Sequence, residues 1–288
     1  LFAQMYQPMM MDNIHVEAPD CYRCPFGKTR EHCACECFVH AERAFAEHGH
    51  ETAAMIVEPL LQGSAGMRIY PEEYLRKLRA LCDAHDVLLI ADEIATGFGR
   101  TGRLFACERA GITPDLMCLS KGLTGGYMPM SITVVKEKIY EAFYADWSEG
   151  KAFMHSHTYA GNPLGCAAAL AVLDILDEEN ILERAENTAA WLTKRMAEAF
   201  GTHPNVGEIR HIGLIHAVEL VEDRAEKRPF DGKRRLGYAI YRRALKNGLL
   251  LRPLGNVLYF NPPLNISRDD LDIAIERMKL SMDEVLGG

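Results

Sequence analysis

Short apolar runs that alternate with helical patterns constrain the fold of this chain more than any other feature. Residues 53–58 and 87–91 indicate strands that are apolar on both faces, and the runs at 116–119 and 132–135 indicate two more. Between the first two runs, Pro71 begins a segment in which apolar residues recur at helical spacing. Strands of this kind are typical of parallel or mixed sheets that helices cover. The sequence therefore predicts an α/β fold in this part of the chain.

We expect an Ala-rich helix to begin at Pro163, with Asn162 as its N-cap, and the order of predicted elements changes after it. From there the sequence predicts, in order, a helix over 181–199, a strand–turn–strand unit over 206–221 around Gly213, a helix over 234–247, short strands at 249–251 and 257–260, and a helix over 268–286. This order is typical of a small α+β domain. We therefore predict two domains, residues 1–177 and 178–288.

Charge and hydropathy exclude several classes of partner. The chain has 288 residues and a formal net charge of −8, which disfavours nucleic acid because phosphate binding needs clustered Lys and Arg. No apolar run approaches the roughly 20 residues that span a bilayer. No signal peptide is evident, so we expect a cytoplasmic protein without a membrane segment. The chain begins in the middle of a pattern at Leu1, and we interpret it as a fragment.

Nine cysteines, an odd number, favour a reducing compartment over a disulfide scaffold. Five of them lie within the irregular polar segment 12–50, at spacings that suit a zinc or iron–sulfur site. The candidate ligands are Cys21, Cys24, Cys33 and Cys37, with Cys35 spare. A reduced loop without a metal is the alternative. The cluster lies apart from the candidate catalytic segments, so we expect a structural or regulatory role for it.

An acidic pair, Asp92 and Glu93, follows the buried run 87–91. Ligands of open α/β sheets bind at the carboxyl ends of the strands, and a carboxylate at such a place needs a charged partner. The protonated pyridine nitrogen of a cofactor is one such partner. A helix N-cap or a structural ion pair is the alternative from this segment alone.

Lys121 follows the run 116–119 and precedes a Gly-rich turn that begins at Gly122. A lysine that forms a Schiff base must be held rigidly and kept partly out of water, and the end of a core strand provides both conditions. A surface lysine in a loop is the alternative for Lys121 alone. Asp92 and Lys121 together favour the catalytic interpretation.

Two further motifs allow competing interpretations. Gly97, Gly99 and Gly102 match the spacing of a dinucleotide-binding loop, but the acidic pair just before them would repel a pyrophosphate. We therefore disfavour a nicotinamide-dependent enzyme. Residues 155–163 carry hydroxyl and backbone donors before a helix N-terminus, where a phosphate can bind. The two histidines of this loop could also form a metal pair, but no third ligand is evident nearby.

Several stretches resemble the class III aminotransferases, which adopt fold type I of the pyridoxal-phosphate (PLP) enzymes. They are Glu58-Pro59 with Gln62-Gly63, and residues 91–102, 104–108, 120–126, 155–167 and 251–263. Within the class, the resemblance is closest to the members that act in biotin synthesis. It implies that residues 1–177 form the C-terminal portion of the PLP-binding large domain, with a mainly parallel sheet and flanking helices, and that 178–288 form the small domain.

The resemblance implies a set of cofactor-binding residues. Lys121 would form the Schiff base with PLP, Asp92 would pair with the pyridine nitrogen, and Ile94 would pack on the ring. His157 and Thr158 would hold the cofactor phosphate of the neighbouring subunit, in a homodimer with shared active sites. Members of the class also carry an N-terminal stretch with a second phosphate-binding loop and an aromatic residue that stacks on the ring. Neither is found here, so we predict that this chain alone binds PLP poorly.

On the substrate side, the resemblance implies that Arg252 binds the carboxylate of an amino-oxo acid, with an exposed salt bridge as the alternative for this residue. Ser156, Arg100 and Tyr259 would also lie against the substrate. The implied reaction is a ping-pong transfer of an amino group to 8-amino-7-oxononanoate, giving 7,8-diaminononanoate, with S-adenosylmethionine or lysine as donor. Another class III ω-amine aminotransferase, or an incomplete fragment with a Cys-bound metal, is the alternative.

Overall fold

The structure is a computed structural model, and it describes residues 5–287. The α-helices are α1 (Val39–His48), α2 (Glu72–Ala84), α3 (Ala106–Ala110), α4 (Glu137–Glu141), α5 (Pro163–Glu178), α6 (Ile181–Phe200), α7 (Leu236–Lys246) and α8 (Arg268–Leu286). The strands are β1 (Ala54–Val57), β2 (Leu61–Gln62), β3 (Arg68–Ile69), β4 (Leu88–Asp92), β5 (Leu116–Leu119), β6 (Ile132–Val135), β7 (Val206–Ile212), β8 (Ile215–Asp223), β9 (Arg228–Pro229) and β10 (Val257–Phe260). Short 3₁₀ segments lie at Gln7–Met9, Arg30–His32, Glu36–Phe38, Gly49–Glu51, Lys121–Thr124, Trp147–Glu149 and Gly232–Arg234.

The first sheet has four strands in the order β1-β4-β5-β6. β1, β4 and β5 are parallel, whereas β6 runs antiparallel to β5. The predicted α/β fold with a mainly parallel sheet is therefore confirmed. The carboxyl ends of β1, β4 and β5 meet at one edge, which is where such sheets bind ligands.

Helix α2 shows how local signals place a helix against this sheet. It begins directly after Pro71, and Glu72 and Glu73 occupy its first turn, where carboxylates interact favourably with the helix dipole. Its buried face consists of Tyr74, Leu75, Leu78 and Cys82. Burial of each leucine stabilises the fold by about 1.5–3 kcal/mol.

A buried carboxylate joins this helix to the sheet. Asp115 is 3% exposed, and its Oδ2 accepts the backbone N–H of Leu89 at 2.9 Å and the guanidinium of Arg79 at 2.7 Å. The Nζ of Lys136 lies 2.9 Å from its other oxygen. Burial alone would raise the pKa of Asp115, but these hydrogen bonds and charges lower it below the usual range. The carboxylate therefore binds α2, β4 and the segment after β6 together.

The second sheet is antiparallel, with the order β10-β8-β7 and β9 paired to β8. Helices α6, α7 and α8 supply apolar side chains such as Leu192, Ile240 and Met278 to one core with this sheet. Gly213 joins β7 to β8 with φ +52°, and a Cβ there would lie 2.5 Å from the carbonyl oxygen of Arg100. Only glycine lets the β7–β8 hairpin approach the loop that carries Arg100 this closely.

Two predictions of secondary structure are wrong. Residues 249–251 are not a strand, because the N–H of Leu249 bonds to the carbonyl of Ala244 at the end of α7 and Leu250 is 77% exposed. Segment 12–50 is not wholly irregular, because α1 forms where Ala41 and Phe45 share one buried face. The boundary between residues 177 and 178 falls at the end of α5 and stays a prediction. No helix within residues 5–287 is long and apolar enough to cross a membrane.

Candidate active site

Two neighbouring parallel strands bring Asp92 and Lys121 to the same edge of the first sheet. Asp92 is the last residue of β4 and lies in register with Cys118 of β5, and Lys121 follows β5 after Ser120. Neighbouring strands are about 4.8 Å apart, so residues that end them lie near one another. The sheet order thus supports the pairing that the sequence motifs predict.

The two acidic residues after β4 have separate surroundings. Glu93 is fully buried, and its oxygens accept the backbone N–H groups of Ala106 and Cys107 at 3.0 and 2.8 Å and the hydroxyl of Thr96. It therefore caps the N-terminus of α3 and has a structural role. Asp92 accepts the N–H of Ile94 at 3.0 Å, and it forms no ion pair within residues 5–287. Of the two carboxylates, Asp92 is the one left for a cationic ligand.

The backbone of Lys121 is held in an unusual conformation. Its φ is +43°, in the left-handed region that residues other than glycine rarely adopt. Ser120 on one side donates to the carbonyl of Met130 at 2.7 Å, and Thr124 on the other donates to that of Met128 at 2.6 Å. Such strain persists where the surrounding structure imposes it, and it concentrates at functional sites. The amine of Lys121 is therefore carried on a fixed backbone.

A cavity of about 1340 Å³ opens in front of Lys121. This volume exceeds the about 300–1,000 Å³ that is typical of a single small-ligand pocket. One wall is apolar and comes from α5, with Leu164, Ala168, Ala171, Val172, Ile175 and Leu176. The cavity has room for a cofactor together with an aliphatic substrate.

The predicted substrate-side residues Arg100, Arg252 and Tyr259 all line this cavity, as does the predicted ring contact Ile94. Arg252 is exposed to it, between α7 and β10, and Tyr259 projects from β10. Arg100 is more enclosed and donates to the carbonyl of Pro262. Burial lowers the pKa of Arg100 to about 10, so it remains a cation at neutral pH. The cavity that contains Lys121 therefore also offers two guanidinium groups.

The structure does not bring Ser156, His157 and Thr158 to the cavity of their own chain. All three are exposed and outside its lining. The Nδ1 of His157 accepts the N–H of Tyr159 at 3.2 Å, and the hydroxyl of Ser156 lies 3.5 Å from the carbonyl of His157. Their contact with the site of a neighbouring subunit stays a prediction.

Sequence reasoning gave no role to Glu58, which the structure places in the cavity wall. Its Oε1 accepts the N–H of Gly63 at 3.3 Å. Burial raises the pKa of Glu58 above its usual range; Asp92 acts in the same direction, and Lys121 opposes it. Glu58 follows β1 as Asp92 ends β4, so the same rule about strand ends could have identified it.

The predicted zinc or iron–sulfur site stays a prediction. Within residues 5–287, no three Cys, His, Asp or Glu side chains are arranged to hold a metal ion. The Sγ of Cys33 instead contacts Glu36 and accepts the N–H of Cys35, whose side chain is in the core. Cys21, Cys24, Cys33 and Cys37 are free thiols in this arrangement, which gives the metal set no support, and that set stays a prediction.

Comparison with known families identifies the group to which this architecture belongs. The sequence profile of the aminotransferase class-III family matches residues 2–282. The chain belongs to the class-III aminotransferase family. The resemblance found in the motifs is thereby confirmed for nearly the whole length of this chain.

Individual relatives agree with this assignment. The adenosylmethionine-8-amino-7-oxononanoate aminotransferase of Geobacter sulfurreducens is 45% identical, over 100% of this chain and 64% of its own length. The crystal structure of the protein with that name from Methanocaldococcus jannaschii has a TM-score of 0.89 at 32% identity, over 99% of this chain and 63% of its own. A thermostable omega transaminase from Pseudomonas jessenii has a TM-score of 0.86 at 37% identity, over 94% and 60%. The chain described here therefore spans less than two thirds of the length of these relatives.

Residues in and beside the cavity fit pyridoxal phosphate, although Asp92 itself comes before the lining residues Ile94 and Lys121 in the chain and is not part of the lining. Asp92 has a carboxylate without a cationic partner within residues 5–287, and Lys121 has an amine that faces open space. The Oε1 of Gln62, one residue before the cavity-lining Gly63, is buried and has no hydrogen-bond partner in the described part of the chain. A bound polar ligand would satisfy such a group.

Proposed function

We propose that this class-III aminotransferase uses pyridoxal phosphate to transfer an amino group to 8-amino-7-oxononanoate, forming 7,8-diaminononanoate in biotin synthesis. The observation that carries the proposal is one cavity that contains Lys121, Arg252 and the apolar face of α5. An amine, a guanidinium and an apolar wall suit an aliphatic oxo acid with a terminal carboxylate. The names of the relatives support this acceptor, and they favour an adenosylmethionine donor over lysine.

The roles of the cofactor-side residues follow from their positions. Pyridoxal phosphate supplies an electron sink when its ring nitrogen is protonated. In the proposal, the carboxylate of Asp92 keeps the proton on that nitrogen. Lys121 would hold the cofactor covalently, and its amine, once the amino group of the donor has displaced it, would move a proton on and off the substrate carbon as general base and acid. Ile94 packs against the ring.

On the substrate side, Arg252 binds the carboxylate of the oxo acid, because its planar guanidinium can form two parallel hydrogen bonds with it. The apolar face of α5 covers the alkyl chain and excludes water from it. Arg100 and Tyr259 line the same cavity and contact the substrate between these ends.

We also propose a homodimer in which the loop with Ser156, His157 and Thr158 serves the cavity of the second subunit. The loop is exposed, and its hydroxyl and ring donors suit a phosphate. Large apolar side chains beside it, Phe153 and Met154, are exposed as well. A subunit contact would cover such a surface.

A cytoplasmic location belongs to the same proposal. All nine cysteines are free in the structure, which suits a reducing compartment. An enzyme that makes biotin from small soluble acids does not need to leave the cytoplasm to meet its substrates.

Reduction with borohydride in the presence of pyridoxal phosphate tests the proposal on the full-length protein. Peptide mass spectrometry should find the cofactor mass on the peptide that contains Lys121, and a Lys121→Ala variant should lose it. Turnover should then follow with 8-amino-7-oxononanoate as acceptor. An intact wild-type protein without the label would disprove the cofactor assignment.

A second function is favoured by the structural likeness to the omega transaminase of Pseudomonas jessenii. In that case an ω-amine would be the donor and pyruvate the acceptor. Acceptor profiling separates the two candidates. Turnover of pyruvate with a simple amine, without turnover of 8-amino-7-oxononanoate, would replace the first function by the second.

A further inference from the structure

The turn between β2 and β3 forms part of the cavity wall. Gly63, Ser64 and Met67 line the cavity. The turn is closed by hydrogen bonds from the N–H groups of Gly66 and Met67 to the carbonyl of Gly63, at 3.2 and 3.0 Å. Met67 has φ +53°, a left-handed conformation that a residue other than glycine adopts only under constraint. Something outside the turn must therefore hold it in shape.

That constraint comes from Arg210 in β7, which is 6% exposed. Its Nε donates to the carbonyl of Met67 at 2.7 Å, and its Nη2 donates to that of Gly66. Glu208 and Glu219 fix the guanidinium from the other side, each at 2.8 Å. A rigid guanidinium with its donors divided between two carboxylates and two carbonyls fixes orientation as well as charge.

The opposite end of the turn is held by Glu58, which accepts the N–H of Gly63 at 3.3 Å. Glu58 and Arg210 therefore clamp the turn from two sides. We infer that Arg210 is a positioning residue for substrate binding, acting through Ser64 and Met67; the inference rests on the proposed function of this cavity. It makes no contact with the cavity itself, and it works by fixing the wall that the substrate meets.

The chain offers a matched control. Arg23, from the Cys-rich segment, also pairs with Glu219 at 2.8 Å and donates to the carbonyl of Lys227 at 3.1 Å. The structure shows no hydrogen bond from Arg23 to the 63–67 turn among the described residues. Both arginines share one carboxylate, but only Arg210 reaches the turn. If a substitution acts only by weakening the ion pairs of Glu219, the Arg23 and Arg210 variants should show the same effect. If Arg210 positions the turn, only the Arg210 variants should show it.

The experiment compares Arg210→Met, Arg210→Lys and Arg23→Met in the cofactor-loaded full-length protein. Hydrogen exchange of the peptide that spans residues 60–70 reads the turn directly, whatever the substrate is. We expect Arg210→Met to speed exchange at Gly66 and Met67 and to raise KM for the carbonyl acceptor about tenfold with kcat nearly unchanged. Arg23→Met should leave both readings at the wild-type level.

Arg210→Lys retains a charge that reaches one carbonyl, so it should raise KM about threefold, with intermediate exchange. This variant carries the test if Arg210→Met does not fold. The inference is overturned if exchange in the turn is unchanged in the folded Arg210 variants, or if Arg23→Met changes exchange and KM as much. Failure of borohydride labelling in the wild type would instead reject the proposed function and leave the exchange result standing.

Discussion

The neighbouring carboxylates Asp92 and Glu93 provide a paired test of the site, because the structure gives them different surroundings. Glu93 is fully buried and bonded to Thr96, Ala106 and Cys107. Asp92 accepts one backbone N–H and has no cationic partner in the described residues. We predict that Glu93→Gln lowers the free energy of unfolding and leaves kcat/KM nearly unchanged. Asp92→Asn should lower kcat/KM and leave the free energy of unfolding nearly unchanged.

The magnitude for Glu93→Gln follows from its hydrogen bonds. The N–H groups of Ala106 and Cys107 use different carboxylate oxygens, so one of them loses its acceptor when an amide replaces an oxygen. An unsatisfied buried donor costs about 1–3 kcal/mol, and loss of the charge weakens the remaining bonds by about 1 kcal/mol. We therefore expect the free energy of unfolding to fall by about 2–4 kcal/mol, which corresponds to about 4–16 °C in Tm.

The expectation for Asp92→Asn is the opposite. Asn keeps an acceptor for the N–H of Ile94, which lies 3.0 Å from Oδ1, and the residue is half-buried, so the stability change should stay within about 0.5 kcal/mol. The variant lacks the negative charge that holds the proton on the cofactor nitrogen. We expect kcat/KM to fall by about 10²–10³-fold, the usual effect of removing one electrostatic group from an active site.

Two measurements on each variant complete the test. Thermal unfolding of the apoprotein by circular dichroism gives Tm, and transamination kinetics below both transitions give kcat/KM. If Asp92→Asn lowers Tm as much as Glu93→Gln and leaves kcat/KM unchanged, Asp92 is a structural cap. The assignment of Asp92 to the cofactor would then be wrong.

Further predictions concern the substrate, acid stability and the thiols. Arg252→Met should raise KM for the carboxylate-bearing acceptor about tenfold in steady-state kinetics while borohydride labelling of Lys121 persists, because a charged hydrogen bond is lost; equal KM values would rule out its role as the carboxylate clamp. The pKa of Asp115 is lower in the folded protein than the ordinary 3.8, so its stabilising effect is present above that pH and is lost as the pH falls further. Urea unfolding should therefore show Asp115→Asn about 3 kcal/mol less stable at neutral pH, with the difference shrinking in acid; a difference independent of pH would contradict this. Burial raises the pKa of Cys21 to about 12, so iodoacetamide should label it more slowly in the folded than in the urea-unfolded protein, as read by mass spectrometry. Elemental analysis of anaerobically purified protein decides between the Cys-bound metal and the reduced loop: the free thiols of the structure lead us to expect no stoichiometric zinc or iron, and a full equivalent of either would establish the metal site.

Local signals explain why most elements of the fold could be predicted from the sequence. Helix α5 is an example, because Asn162 accepts the N–H of Leu164 at 3.0 Å as N-cap and Pro163 occupies the first helical position. These interactions involve residues that are neighbours in the chain. The run 249–251 is apolar enough for a strand, but its backbone is used to end α7 and no strand lies beside it. Pairing of this kind depends on tertiary neighbours that a local pattern does not contain.

The candidate site divides in the same way. Lys121 and Asp92 carry local motifs and lie at strand ends, so the sequence could indicate them. The Cys-rich segment is a different case, because the five thiols differ in burial: Cys35 is buried in the core, whereas Cys21, Cys24, Cys33 and Cys37 are half-buried. Closeness along the chain predicts a metal site there, and the packing of Cys35 into the core agrees with its place outside the predicted ligand set.

The strand order explains the electrostatics of the site better than any single motif. In the order β1-β4-β5, Asp92 ends the middle strand, with Glu58 beyond one neighbour and Lys121 beyond the other. Two adjacent charged carboxylates would repel each other, and a site for one protonated ring nitrogen needs only one negative charge. Burial raises the pKa of Glu58, so Glu58 takes up a proton at a higher pH than an ordinary carboxyl group does. Asp92 thus lies between Glu58 and Lys121 at the strand ends, and both of these neighbours line the cavity.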